Sequence, residues 1–187
     1  MAKLIAAFLI PVLICISGCS HQPKTSVAND AKWIGKVSEG MPAIDPSNAI
    51  YELPVNEGVS HQDVIDSLKS LSEGKNFVNP ANFPIGEHMK LRGQDPGGVL
   101  EVRAFCNLGL GAEIMQDHPE FIVFAPCRIA IYEKKDANQK KRLYLGLDRP
   151  TFDLKNIKQP TERAKKAAQE LETTLLEIMD KARKGDL

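Results

Sequence analysis

The chain has 187 residues, 43% of them hydrophobic and 26% charged, the proportions of an ordinary globular protein and not of a disordered or fibrous one. Its 24 basic and 24 acidic side chains cancel, which excludes an overall field that would gather nucleic acid by charge alone.

The first 18 residues read as a secretory signal peptide. Lys3 is the only charge before residues 4–16, which are apolar throughout and interrupted only by the helix-disfavouring Pro11; Ser17, Gly18 and Cys19 follow, in the n-region, h-region, small-residue order of an export signal. As a helix the apolar run would span roughly 20 Å, well short of the ~30 Å hydrocarbon core of a bilayer. Ile16-Ser17-Gly18-Cys19 resembles the bacterial lipobox, in which the cysteine is diacylated, cut free at its amino side and often acylated again. Lipidation at Cys19 is therefore expected, leaving about 169 residues for the mature protein, enough for one compact domain. Several acyl chains, at ~0.8 kcal/mol per buried CH₂, make such attachment effectively permanent. Ser20 stands where an Asp often signals inner-membrane retention, so resemblance to that sorting rule implies the outer membrane, facing the periplasm.

Residues 20–48 are polar, carry Gly and Pro, and show no sustained apolar period; with Cys19 they read as a lipidated, flexible tether over 19–49. Trp33 would dock on the domain, lie at the lipid interface or stay a partly exposed linker residue. The folded domain is expected over residues 50–187. Ser60 with Asp63 makes a capping-box-like start to a helix in which Val64, Ile65, Leu68 and Leu71 recur at helical spacing before Gly74. Residues 76–78 are a short strand candidate, and residues 79–98 read mostly as turn with a strand near 88–92. Over residues 99–105 the alternation puts Leu100, Val102 and Ala104 on one side and Glu101 and Arg103 on the other, predicting one buried face. Asn107 caps a helix over 108–117. Residues 121–132 read as a long apolar strand interrupted at Pro126, followed by a hairpin loop and a return strand over 142–147. After Pro160, Thr161 caps a helix with Ala164, Ala167, Ala168, Leu171, Leu175, Ile178, Met179 and Ala182 on one stripe, ending at Gly185. That stripe fits packing on the sheet; Leu176, off it, leaves room for an oligomerisation surface. This order of elements predicts an α+β fold: a single compact domain, an antiparallel sheet with helices packed on one face.

Chemistry centres on two cysteines, Cys106 and Cys127, once Cys15 and Cys19 are assigned to the leader and the anchor. Cys106 directly precedes a helix start, whose dipole favours a thiolate. Cys127 is followed by Arg128, whose guanidinium would act in the same sense if it pointed the same way. A disulfide, two buried unreactive thiols, and a thiol-based or ligand site in which Arg128 is the electrostatic partner are the three readings. His21, His61, His88 and His118 have no ligand spacing, so no metal is expected. Gly109-Leu110-Gly111 lacks the third glycine of a dinucleotide fingerprint and does not open a βαβ unit; no cofactor is expected. Glu101 and Glu133 are a candidate carboxylate pair, though a solvated sheet face explains them as well.

Residues 101–108, Glu-Val-Arg-Ala-Phe-Cys-Asn-Leu, and 124–133, Phe-Ala-Pro-Cys-Arg-Ile-Ala-Ile-Tyr-Glu, together resemble the signature of the bacterial and archaeal family DUF302. A strand ending in a Glu-Phe-Cys-Asn-like stretch, a short helix and a Pro-Cys-Arg-Ile strand followed by an acidic residue occur there in this order. The resemblance spans residues 59–150, with a weaker helical extension to the end. It implies a compact α+β domain able to form a homodimer, and no reaction. Arg103-Ala104 stands where the family often has an acidic residue, which weakens transfer of any carboxylate role. Cysteines shared with cytoplasmic relatives speak against an obligatory disulfide. The function expected is a membrane-anchored envelope lipoprotein that binds a small ligand or a protein partner and is not an enzyme. The alternatives are a thiol-dependent redox or sulfur-handling protein using Cys106 and Cys127, and a structural tether.

Overall fold

The computed structural model describes residues 33–187. The expected signal peptide, the lipobox-like tetrad and the expected lipidation site Cys19 lie outside them. Five strands form one antiparallel sheet in the order β1-β5-β4-β3-β2: β1 Ile50–Pro54, β2 Val78–Phe83, β3 Leu100–Cys106, β4 Cys127–Lys135 and β5 Lys141–Asp148. Between and after them run α1 His61–Gly74, α2 Ile85–Lys90, α3 Leu108–Met115, a 3₁₀ helix Pro119–Phe124, α4 Pro150–Leu154 and α5 Glu162–Ala182. None of the described helices is long and apolar enough to cross a membrane.

Register decides which face carries the core. Phe105 opposes Cys127, Ile129 and Ile131 oppose Leu147 and Leu145, and Leu147 and Leu145 oppose Tyr51 and Leu53. Directly opposed residues share a face, so these side chains form one apolar layer, in which Ile129, Ile131, Leu145 and Leu147 are fully buried. The stripe of α5 packs into the same core, together with Val64 and Leu68 of α1 and Ile114 of α3. Burying a Leu, Ile or Phe side chain contributes about 1.5–3 kcal/mol, so this layer supplies much of the driving force for folding. Leu176 is also buried, at 0% exposure: α5 is enclosed beyond its stripe, and that side chain is not available to an oligomer.

The opposite sheet face carries Ile50, Val102, Arg128, Ala130, Tyr132, Tyr144, Gly146 and Asp148. Tyr132 and Tyr144 stack there at 6.2 Å. A Cβ on Gly146 would come 3.1 Å from the Tyr132 ring, so glycine makes space for that ring.

Four local expectations are corrected. The β3 face is reversed: Glu101 and Arg103 oppose the fully buried Ile131 and Ile129 on the helix side, while Leu100 and Val102 lie on the other. Glu101 and Arg103 are tolerated there because they pair at 2.8 Å, with His61 of α1 3.3 Å from Glu101. Residues 88–92 contain no strand; α2 occupies this region, its Gly86 lying against Leu100. Residues 119–124 are helical and β4 starts only at Cys127, after a cis Ala125–Pro126 bond. Pro119 is pre-set for a first helical turn, and the i, i+3 pair Phe121 and Phe124 meets ring to ring at 5.6 Å. The expected tether is, from Trp33, a strap laid on the domain. Gly35 N donates to Glu172 Oε1 at 3.0 Å, Lys36 N to Thr173 Oγ1 at 2.9 Å and Gln169 Nε2 to the Ile34 carbonyl at 2.9 Å. Trp33, Val37, Met41 and Ile44 pack on the core.

Beneath the strap Arg149 and Glu172, 1% and 0% exposed, form an ion pair at 3.2 Å. Arg149 Nη1 also donates to the carbonyls of Asp45 and Asn48, and Thr151 N donates to Glu172 Oε2. A buried pair survives desolvation when its remaining hydrogen-bonding capacity is met, and here the strap backbone supplies part of it. A Cβ at position 35 would lie 2.6 Å from Glu172, so only glycine permits this approach.

Candidate functional site

Cys106 ends β3 because Asn107 turns the chain into α3, its side chain accepting from Leu110 N at 3.0 Å. Cys127 opens β4 immediately after Pro126. The two stand on neighbouring strands one residue apart in register, which places their Cα atoms on the order of 6 Å apart from strand spacing and rise. Both are free thiols, and both line one cavity of about 30 Å³ walled by Phe105, Met115, Phe121, Phe124, Pro126 and Leu171.

A third polar group joins them. Asp153 of α4 is 8% exposed and lines the same cavity. Burial, reinforced by the nearby Asp148 carboxylate and opposed by Arg128, raises its pKa to about 7. Burial raises the Cys106 thiol. Burial first, then Cys106, Asp153 and Asp148, push Cys127 up to about 12. Both thiols are therefore protonated at neutral pH, contrary to the expectation from the helix start and from Arg128. Desolvation outweighs the dipole at Cys106. Arg128, opposite Ala104 in the ladder, projects to the open face and is ion-paired with Asp148; it is not among the charges that act on Cys127.

The other candidates are separated. Glu101 pairs with Arg103, whereas Glu133 accepts from Val99 N at 3.1 Å and faces Lys141 at 3.5 Å, so each carboxylate has its own partners. His118 is buried and accepts from Thr161 N at 3.0 Å, helping to fix the start of α5, and His88 is exposed. Among the described residues no group of three or more His, Cys, Asp or Glu side chains is placed to hold a metal. Larger depressions exist, including a polar groove of about 360 Å³ along residues 55–61 and another of that size over Tyr132; neither contains a thiol. Asp153 was missed by sequence reasoning. The signal that could have found it is Pro150, which marks a helix start at N1 and so places Asp153 in the first turn.

The family profile described as "Domain of unknown function DUF302" matches residues 51–182. An "Uncharacterized protein" of Aquifex aeolicus (strain VF5) is 34% identical over 82 residues, which are 44% of this chain and 51% of that one; the chain thus spans about half the length of this relative. The crystal structure of an uncharacterized conserved DUF302 protein from Bacillus stearothermophilus shares the fold with a TM-score of 0.62, at 19% identity over 72% of this chain and 98% of that one.

Proposed function

The chain belongs to the DUF302 family, and from that premise we propose that it is an envelope lipoprotein, held through Cys19 on the periplasmic face of the outer membrane, whose domain binds a small ligand in the Cys106–Cys127 cavity. The observation that carries the binding part is the convergence of two thiols and the Asp153 carboxyl on one apolar-walled cavity, because binding sites join apolar walls to a few placed polar groups. Its size sets the ligand class. About 30 Å³ holds one or two water-sized particles, far from the 300–1,000 Å³ of a drug-sized or cofactor site. The anchoring part rests on the order of Lys3, the apolar run and Ile16 to Cys19.

Metabolic labelling with an alkyne fatty acid, followed by membrane fractionation, tests the anchor. The wild-type chain takes up label and sediments with outer membranes, and Cys19→Ser abolishes the label; label retained by Cys19→Ser sinks the reading.

A second reading, thiol-dependent redox chemistry, is favoured by the same pair of sulfurs standing at adjacent strand ends. Against it, both thiols are held protonated, and the thiolate is the nucleophile. Alkylation followed by mass spectrometry across pH separates the two readings. Slow modification of Cys127 below pH 9 supports ligand binding, and one thiol reacting fast near neutrality supports redox chemistry.

A further inference from the structure

We propose that the occupant of the Cys106–Cys127 cavity is a single soft monovalent metal ion, Cu(I), held by the two cysteine sulfurs with the Met115 thioether as a third, weaker donor. The inference rests on the ligand-binding reading above and names its ligand.

The donors are the first argument. Cys106 at the end of β3, Met115 at the end of α3 and Cys127 at the start of β4 bring sulfur to one cavity from three separate elements. Thiolate and thioether are the ligand types that select Cu(I). The second argument is size, since about 30 Å³ admits an ion and excludes an organic cofactor. The third is the donor count. Structural zinc takes four Cys, His or carboxylate ligands, and among the described residues no group of even three is so placed. Two thiolates with a thioether do not complete a zinc shell, whereas Cu(I) accepts so low a coordination number. Finally, Asp153, 8% exposed, also lines this cavity, a placed polar group among apolar walls of the kind that marks a binding site.

Binding is balanced simply. Each ion displaces two S–H protons to solvent and forms two Cu–thiolate bonds, with the neutral Met115 thioether donating a lone pair as third ligand and no change of oxidation state. The resulting unit carries one net negative charge.

The test uses the full chain in detergent with Cys15→Ser and Cys19→Ser, so that Cys106 and Cys127 are the only thiols left and the outcome does not depend on lipidation. Cu(I) is titrated anaerobically against a chromophoric Cu(I) chelator, with a non-thiol reductant. Expected are one Cu(I) per chain, at least a 100-fold loss of affinity in Cys106→Ser and in Cys127→Ala, about 10-fold in Met115→Leu, and Zn(II) binding at least 1,000-fold weaker. Met115→Leu conserves volume, and circular dichroism checks the fold of each variant. No retention against the chelator, or equal retention by the double cysteine variant, overturns the proposal. In that event a small methanethiosulfonate probe decides what else falls. If it modifies the native thiols, the cavity still admits small ligands and only the metal is wrong; if it reacts only after denaturation, the ligand-binding reading fails too. Formation of an intramolecular disulfide with a low-molecular-weight disulfide as oxidant, without Cu(I) retention, likewise overturns the metal and moves the redox reading forward.

Discussion

Asp153 shows how one side chain couples the cavity to the stability of the domain. Its carboxyl is nearly enclosed, and burial lifts its pKa to about 7 from an ordinary value near 4. The folded chain therefore holds this proton more tightly than the unfolded chain. The stability it contributes is complete below about pH 4 and is lost as pH rises through about 7. Asp153→Asn keeps the shape and removes the titration. Chemical denaturation at a series of pH values should show the variant gaining on the wild type between pH 4 and 7, with a constant advantage above that. A difference independent of pH would mean that the carboxyl is not desolvated as described. The two cysteines were legible in the sequence; the cavity they share was not. Strand alternation alone sends adjacent positions to opposite faces, and only the end of β3 at Cys106, where Asn107 begins α3, lets both side chains line one space.

At the scale of elements, the parts set by local chemistry were legible. Ser60 with Asp63, Asn107 and Thr161 each cap the helix expected of them, because a side-chain oxygen satisfying a free backbone N–H acts within four residues. The parts set by distant neighbours were not. The β3 face is not legible in the sequence because Glu101 becomes tolerable on the core side only with Arg103 and His61 beside it. The strap reads as a tether in the sequence because its apolar residues are sparse and one of its holds is a carboxylate 137 residues away. Glu172→Ala should expose that dependence. Removing one partner of a buried, hydrogen-bonded pair costs about 3–5 kcal/mol, and here it also strips the strap of its acceptor at Gly35. Trp33, the sole tryptophan, packs on the core with Lys155 Nζ 5.9 Å from its ring centroid. Its emission should shift to the red in Glu172→Ala under conditions where circular dichroism still reports a folded domain. Unchanged emission would mean that apolar contacts alone hold the strap.

For the molecule as a whole, the expected α+β plan of helices on one face of an antiparallel sheet is the one found. It was legible because hairpin-spaced strands with capped helices between and after them leave few other arrangements. The docked strap has one consequence for where such a domain can work. With Cys19 fixed in a bilayer, no more than the 14 residues up to Trp33 could separate lipid from the docked strap, and that length of chain extends at most roughly 50 Å. Were the chain free as far as Asn48, its reach would be about twice as great. On such an anchor the buried Glu172 would act as a cleat that takes up half the leash. In a chain anchored through Cys19 it would confine the domain to the layer next to that membrane.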